Sequence, residues 1–214
     1  MWDWIIDGVI GEYFATAVMM TLDPIRDDMQ RFSIALSETE TLALRNCAVE
    51  VAHNAGSVIL TQTSVADRII FLTEGIAASE QTWIDGNTTI ARFFEPPDLC
   101  TNVTSAWTGQ IASDELLAVT DVKGLSIPLS FFMKEYLSGG AFGIYLRHRM
   151  MEAHLFAKEL VCAKTSGNTE TRQRFLETHH QNVLDLVPQK DIAKFLGIMP
   201  QSLSRFLRNK SLSD

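Results

Sequence analysis

Cysteine is scarce in this 214-residue chain: Cys47, Cys100 and Cys162 lie more than 50 residues apart. No CxxC or CxxH pair exists, which argues against a zinc ribbon or finger. Free thiols in a reducing cytoplasm are the expectation. Basic residues are missing before Arg26, although MWDWIIDGVIGEYFATAVMMTLDP is strongly apolar. A secretory signal would open on a basic stretch, and a membrane span would not carry Asp3, Asp7 and Glu12 or stop at Asp23-Pro24. A helix lying on a membrane would place Lys or Arg on its polar face. The segment is instead expected to be an amphipathic extension that docks on the protein's own body or on a second subunit. Histidine is sparse too. His53 is the only one in the stretch read below as β structure, so a metal-dependent barrel enzyme lacks its histidine and carboxylate cluster. The chain is expected not to be an enzyme and to hold no metal.

Acid dominates what is present, with a net charge of -8, but unevenly. From Thr165 onward there are seven Lys or Arg and five Asp or Glu, leaving 11 bases and 21 acids for the remainder. An acidic body repels nucleic acid, and a mildly basic end can approach it.

Four regions follow along the chain. Residues 1–36 form the helical extension. Residues 37–127 read as β structure, from short runs rich in Val, Ile, Thr and Phe: AVEVAH (48–53), SVILTQ (57–62), RIIFLT (68–73), QTWI (81–84), TTIARFF (88–94) and LLAVTDV (116–122). Turn residues separate them, with Asp85-Gly86 the strongest hairpin signal. Many short strands at close spacing predict a sandwich or barrel. Residues 128–164 are helical, opened by Pro128 and weakened at Gly139, Gly140 and Gly143, so a short helix, a break and a long helix are expected. Apolar residues at Phe142, Tyr145, Leu146, Met150, His154, Leu155 and Val161 trace one stripe, to be buried on the β domain or in a homodimer. Residues 165–214 follow the hinge-like Thr165-Ser166-Gly167-Asn168 and are helical.

The last region holds VPQKDIAKFLGIMPQSLSRFLRN (187–209). Gln189–Leu196 reads as a short amphipathic helix and Gly197 as a tight turn. Pro200 opens a second helix to about Leu207. Small Ala193 lets the helices cross closely, with Ile192, Leu196, Ile198, Leu203 and Phe206 facing inward. This is a helix-turn-helix arrangement. Its outward positions are Gln201, Ser202, Ser204, Arg205 and Arg208. Arg205 can donate two bonds to guanine and Gln201 can pair with adenine, while Lys190, Ser202, Arg208 and Lys210 suit phosphates. Met199 falls at the N-cap position without a side-chain oxygen.

On these residues and this order of regions, roughly Ser37 to Asn209 resembles the Crp/Fnr family of bacterial transcription regulators, and the terminal stretch resembles a subset of the form IAxxLGIxPxSLSR. AGSVILTQTSVADRIIFLTEG is similar to the first hairpin of the family's cyclic-nucleotide-binding β-roll. The resemblance implies an α+β fold: an N-terminal β-roll joined by a long dimerisation helix to a C-terminal helix-turn-helix domain. It also implies a homodimer, double-stranded DNA and RNA polymerase as partners. The chain departs from the family at the phosphate cassette. Pro97 to Val119 has no Glu before Glu115 and no Arg, and Asp114 lies where an arginine would be wanted. Cyclic nucleotide is therefore not expected as a cofactor, although Thr101, Asn102, Thr104 and Ser105 could hydrogen-bond another small molecule. The N-terminal cysteine cluster of the family's iron–sulfur sensors is missing, and nothing singles out His53, His148 or His154 for haem. His179-His180, adjacent on a helix, point apart. The usual wing after the recognition helix does not fit the five residues from Lys210. An alternative is a small-molecule sensor or protein-interaction module that retains the helix-turn-helix shape without binding DNA.

Overall fold

The computed structural model describes residues 22–166 and 168–210. Most of the apolar extension therefore lies outside the described residues. Its end is a helix over residues 22–30 (α1), which buries Leu22, Ile25 and Met29 on the body of the same chain. Then come α2 (Glu38–Cys47), β1 (Val49–His53), β2 (Val58–Leu60), β3 (Arg68–Glu74), β4 (Ala77–Thr82), β5 (Thr88–Phe94) and β6 (Asp98–Cys100). After α3 (Val103–Thr108), β7 (Glu115–Ala118) and β8 (Val122–Pro128), the chain is helical: α4 (Leu129–Leu137), α5 (Ala141–Thr165), α6 (Thr169–His179), α7 (Gln181–Leu186), α8 (Gln189–Leu196) and α9 (Pro200–Lys210).

Among the described residues eight strands pair antiparallel into two four-stranded sheets, ordered β1-β8-β3-β6 and β2-β7-β4-β5, so the fold is α+β with a β-roll followed by helices. Three apolar clusters hold it together. Ile70, Leu72, Phe94, Cys100 and Leu116 fill the space between the sheets. On β3 the alternate residues Ile69 and Phe71 face outward, against α1, α2, α4 and the first half of α5. With both faces covered, the strand reads as an unbroken apolar run. The third cluster joins β4 and β5 to α5–α9. It depends on a register shift: Ser79 pairs with Arg92 but Glu80 with Ile90, so Ala91 is the extra residue. The bulge reverses the alternation and places Ile90 and Phe93 on the same outer face.

Several expectations shift in detail. The run at 81–84 belongs to a strand that starts at Ala77 and ends at Thr82, leaving Trp83 and exposed Ile84 in the hairpin turn. Ala77 and Ala78 have little β propensity and are held by packing, at 0% and 1% exposure. LLAVTDV divides between β7 and β8. Two helices, α2 and α3, lie within the region read as β. Ser37 and Glu40 form a reciprocal capping box for α2: the Ser37 hydroxyl accepts from the Glu40 amide at 3.2 Å, and the Glu40 carboxylate accepts from the Ser37 amide at 2.9 Å. The helical stripe on α5 also divides. Phe142, Tyr145 and Leu146 are buried on the chain's own roll, whereas His154, Leu155 and Val161 are exposed.

A buried ionic network fixes α5 to the roll. Asp28, 2% exposed, accepts from the Tyr145 hydroxyl at 2.7 Å and from Arg31 at 2.5 Å. Arg149 reaches Asp98 at 2.9 Å, and Arg92 meets the other oxygen of Asp98 at 2.8 Å. Burial, then the Asp28 hydrogen bond, push the Tyr145 phenol above its usual pKa, so the hydroxyl stays a donor. Tyr145→Phe should therefore lower stability by about 1–3 kcal/mol by taking a donor from a buried carboxylate. Urea unfolding of the full chain measures this.

Candidate nucleic-acid interface

Proline at the start, small alanine inside and glycine at the turn build the helical pair from local rules. On α8, Ile192, Ala193, Phe195 and Leu196 are all at or below 1% exposure. Gly197 ends the helix in the left-handed region, φ 64 and ψ 40, which a side chain would resist. The Ile198 amide then bonds to the Ala193 carbonyl at 3.1 Å, closing the turn. Arg172 from α6 clamps the same corner, donating to the carbonyls of Gly197 and Lys164 at 3.1 and 2.6 Å. On α9, Leu203 is buried against this platform at 1% exposure.

The opposite face of α9 is open. Gln201, Ser202, Arg205 and Arg208 are exposed, Ser204 is half-buried, and Lys190 is exposed at the start of α8. All six expected residues are thus at least partly accessible on the helical pair. Lys210 closes α9, but its side chain, like that of Phe206, lies outside the described residues. Lys194 turns the other way. Its ammonium meets Glu80 on β4 at 2.8 Å. Burial pulls the Lys194 pKa down, but the Glu80 and Asp191 carboxylates outweigh burial and hold it above the usual lysine value. Lys194 therefore tethers α8 to the roll.

The four residues considered for a small ligand sit together between β6 and β7, and the side chains of Thr101, Asn102 and Ser105 are already hydrogen-bonded. The Thr101 hydroxyl donates to the Arg68 carbonyl at 3.2 Å. Asn102 caps α3, its oxygen accepting from the Ser105 amide at 2.8 Å. The Ser105 hydroxyl donates to the Gln110 carbonyl at 2.5 Å and accepts from the Ala66 amide at 2.9 Å. Thr104 is exposed. Asp114 accepts hydrogen bonds from Ser79, Asn102 and Ser113. Its carboxylate is thus the hub of this loop. The sequence reading missed Arg68, which lines an apolar cleft of about 460 Å³ between the sheets with Val51, Leu60, Ile70 and Leu116. Its guanidinium is held by the Ser126 hydroxyl and carbonyl at 2.5 and 2.9 Å. The signal for it was a charged pair, Asp67-Arg68, at the start of the most apolar strand. His179 and His180 have separate partners, Glu159 at 2.8 Å and Glu95 at 2.5 Å. Among the described residues no group of three His, Cys, Asp or Glu is placed to hold a metal, and no helix is long and apolar enough to cross a membrane.

Met199 is 66% exposed, and its carbonyl accepts the first bonds of α9, from Ser202 at 2.9 Å and Leu203 at 3.3 Å. A side-chain oxygen there would satisfy an amide that now has none from this residue. Met199→Ser should raise stability by about 1 kcal/mol, read as a shift in the thermal melt.

No family model matches the sequence, and no curated protein matches it. Solved structures do resemble the fold. FixK2 from Bradyrhizobium japonicum aligns at a TM-score of 0.65 and 15% identity, over 78% of this chain and 85% of that one. A chain from Eubacterium rectale assigned to the crp/fnr family of transcriptional regulators aligns at 0.62 and 13%, over 83% and 85%. A mutant CooA from Carboxydothermus hydrogenoformans aligns at 0.61 and 14%, over 83% and 82%. At such identities the shared property is architecture: this chain has the Crp/Fnr fold, a β-roll, one long helix and a C-terminal helical bundle.

Proposed function

We propose that this chain is a homodimeric, sequence-specific DNA-binding transcription regulator that does not respond to cyclic AMP or cyclic GMP. The observation that carries the reading is the outward face of α9. Arg205 and Gln201 are exposed there, with Ser202 beside them, while buried Leu203 anchors the helix to α8. Arg205 reads guanine through two bonds, Gln201 reads adenine, and Lys190, Ser202, Ser204, Arg208 and Lys210 are assigned to positioning against the backbone. The self-bonded cassette around Asp114 supports the exclusion of cyclic nucleotides, because a carboxylate repels a phosphate.

The dimer is assigned to the outward side of α5. Ile144, Met151 and Leu155 are 39%, 57% and 49% exposed and recur on one side of the helix. Two-fold pairing there would bury them and set the two α9 helices against successive turns of one duplex face. The resemblance to regulators makes RNA polymerase a further candidate partner. One observation favours the alternative, a sensor or interaction module that does not bind DNA. The helix-turn-helix shares an apolar core with the roll, through Phe195 against Phe93 with ring centroids 5.1 Å apart, so its position is fixed.

Arg205→Ala should weaken binding to the true site by about 1–3 kcal/mol and relax one base position. Gel shifts against genomic fragments at several salt concentrations test this. Affinity should fall steeply with salt, and no association at low salt would favour the alternative. Leu155→Glu should convert the dimer to a folded monomer, measured by light scattering on a sizing column. A dimer that persists would remove α5 as the seam.

A further inference from the structure

The core between the two sheets is incomplete at one end of the roll. Ile70, Cys100 and Leu116 are buried there, but Val51, Ile59 and Leu60, which pack against that core, are only partly buried. Val49, at the start of β1, is 57% exposed. The space these side chains leave is the cleft of about 460 Å³ that also holds Arg68. That volume lies within the range of about 300–1,000 Å³ usual for small-molecule sites, and the lining is mostly aliphatic.

Arg68 marks the cleft as more than a packing defect. Its Nε and Nη2 donate to the hydroxyl and carbonyl of Ser126, which is 3% exposed, so the guanidinium is held in one orientation. Its Nη1 has no hydrogen bond among the described residues. Unlike Arg92 Nε and Arg149 Nε, that nitrogen is not sealed from solvent, and the side chain is half-buried. Arg92 and Arg149 each reach Asp98, at 2.8 and 2.9 Å, whereas no carboxylate among the described residues lies within 4 Å of the Arg68 guanidinium. A charge in an apolar wall without a counter-ion is costly, and an anion seated beside it recovers that cost.

The lining decides which anion fits. Asp67 is its one acid, and it is exposed. A single guanidinium with an acid nearby suits one delocalised negative charge better than a phosphate dianion. The strand register pairs Val49 with Ser126 and His53 with Val122, so Arg68 sits at the exposed Val49 end of β1 and His53 at the other. Beyond the guanidinium the walls are apolar, and so must be the body of the ligand.

We infer that this cleft binds a small amphipathic monocarboxylate, an aliphatic or aromatic acid. Its carboxylate accepts from Arg68 Nη1, and its apolar body covers Val51, Leu60, Ile70 and Leu116. The site is independent of whether the protein binds DNA, and it uses none of the polar groups that close around Asp114.

Calorimetry on the full chain, without DNA, tests it with octanoate and phenylacetate as probes. Octanamide and phenylacetamide carry the same bodies without the charge, and acetate carries the charge without the body. At least one probe should bind saturably, one per chain, with its amide and acetate weaker by about tenfold or more. Arg68→Gln should weaken that probe by a similar factor. Val51→Phe keeps Arg68 but narrows the cleft, and should do the same. Circular dichroism checks that each variant is folded, and where one is not, the comparison of acid with amide decides. The proposal is overturned if neither probe binds, if the matching amide or acetate binds as tightly, or if a folded Arg68→Gln or Val51→Phe binds unchanged.

Discussion

The contact between α8 and β5 is the constraint on which the rest depends. Phe195, 0% exposed, packs among Phe93, Phe175 and His180 with ring centroids 5.1, 6.4 and 5.5 Å away, and the Lys164 ammonium lies 5.0 Å from its ring. Each large apolar side chain buried in such a core contributes about 1.5–3 kcal/mol. The helix-turn-helix is thus part of one core with the roll, where the hinge-like composition at Thr165 to Asn168 suggested a separable unit. The geometry traces back to a single residue in β5. Without the bulge at Ala91, Ile90 and Phe93 would face opposite sides of the sheet and there would be no platform for α8.

The same logic divides α5 into two sides. Its first half is held by Phe142, Tyr145 and Leu146 and by the charges of Asp28, Arg149 and Asp98, which are buried but paired. Ile144, Met151 and Leu155 then look away from the body. A helix anchored on one side and apolar on the other presents its outer face in a fixed orientation. That is what a symmetric partner would require to set two reading helices at a defined separation.

Much of this architecture was legible. The helix-turn-helix could be read because proline, alanine, glycine and the apolar spacing all obey local rules, and α4, the break and α5 followed from proline and glycine in the same way. Strands rich in β-branched residues could be read too, as at Arg68–Glu74. What escaped were features set by partners distant in sequence. β4 begins at Ala77, where only packing explains a strand. β6 is three residues long, and α3 is a six-residue helix capped by Asn102 between two strands. The capping box at Ser37 and Glu40 was present in the letters and overlooked. Charge pairing was invisible, since nothing local links Asp28 to Tyr145 or His180 to Glu95.

The loop between β6 and β7 is organised by one carboxylate. Asp114 needs donors, and Ser79, Asn102 and Ser113 provide them from β4, from the cap of α3 and from its own neighbour. Once these bonds form, Ser105 is drawn to Gln110 and Ala66, and the loop closes around its own polar groups. Opening it for a ligand would break several bonds at once, each worth about 0.5–1.5 kcal/mol or more where charge is involved.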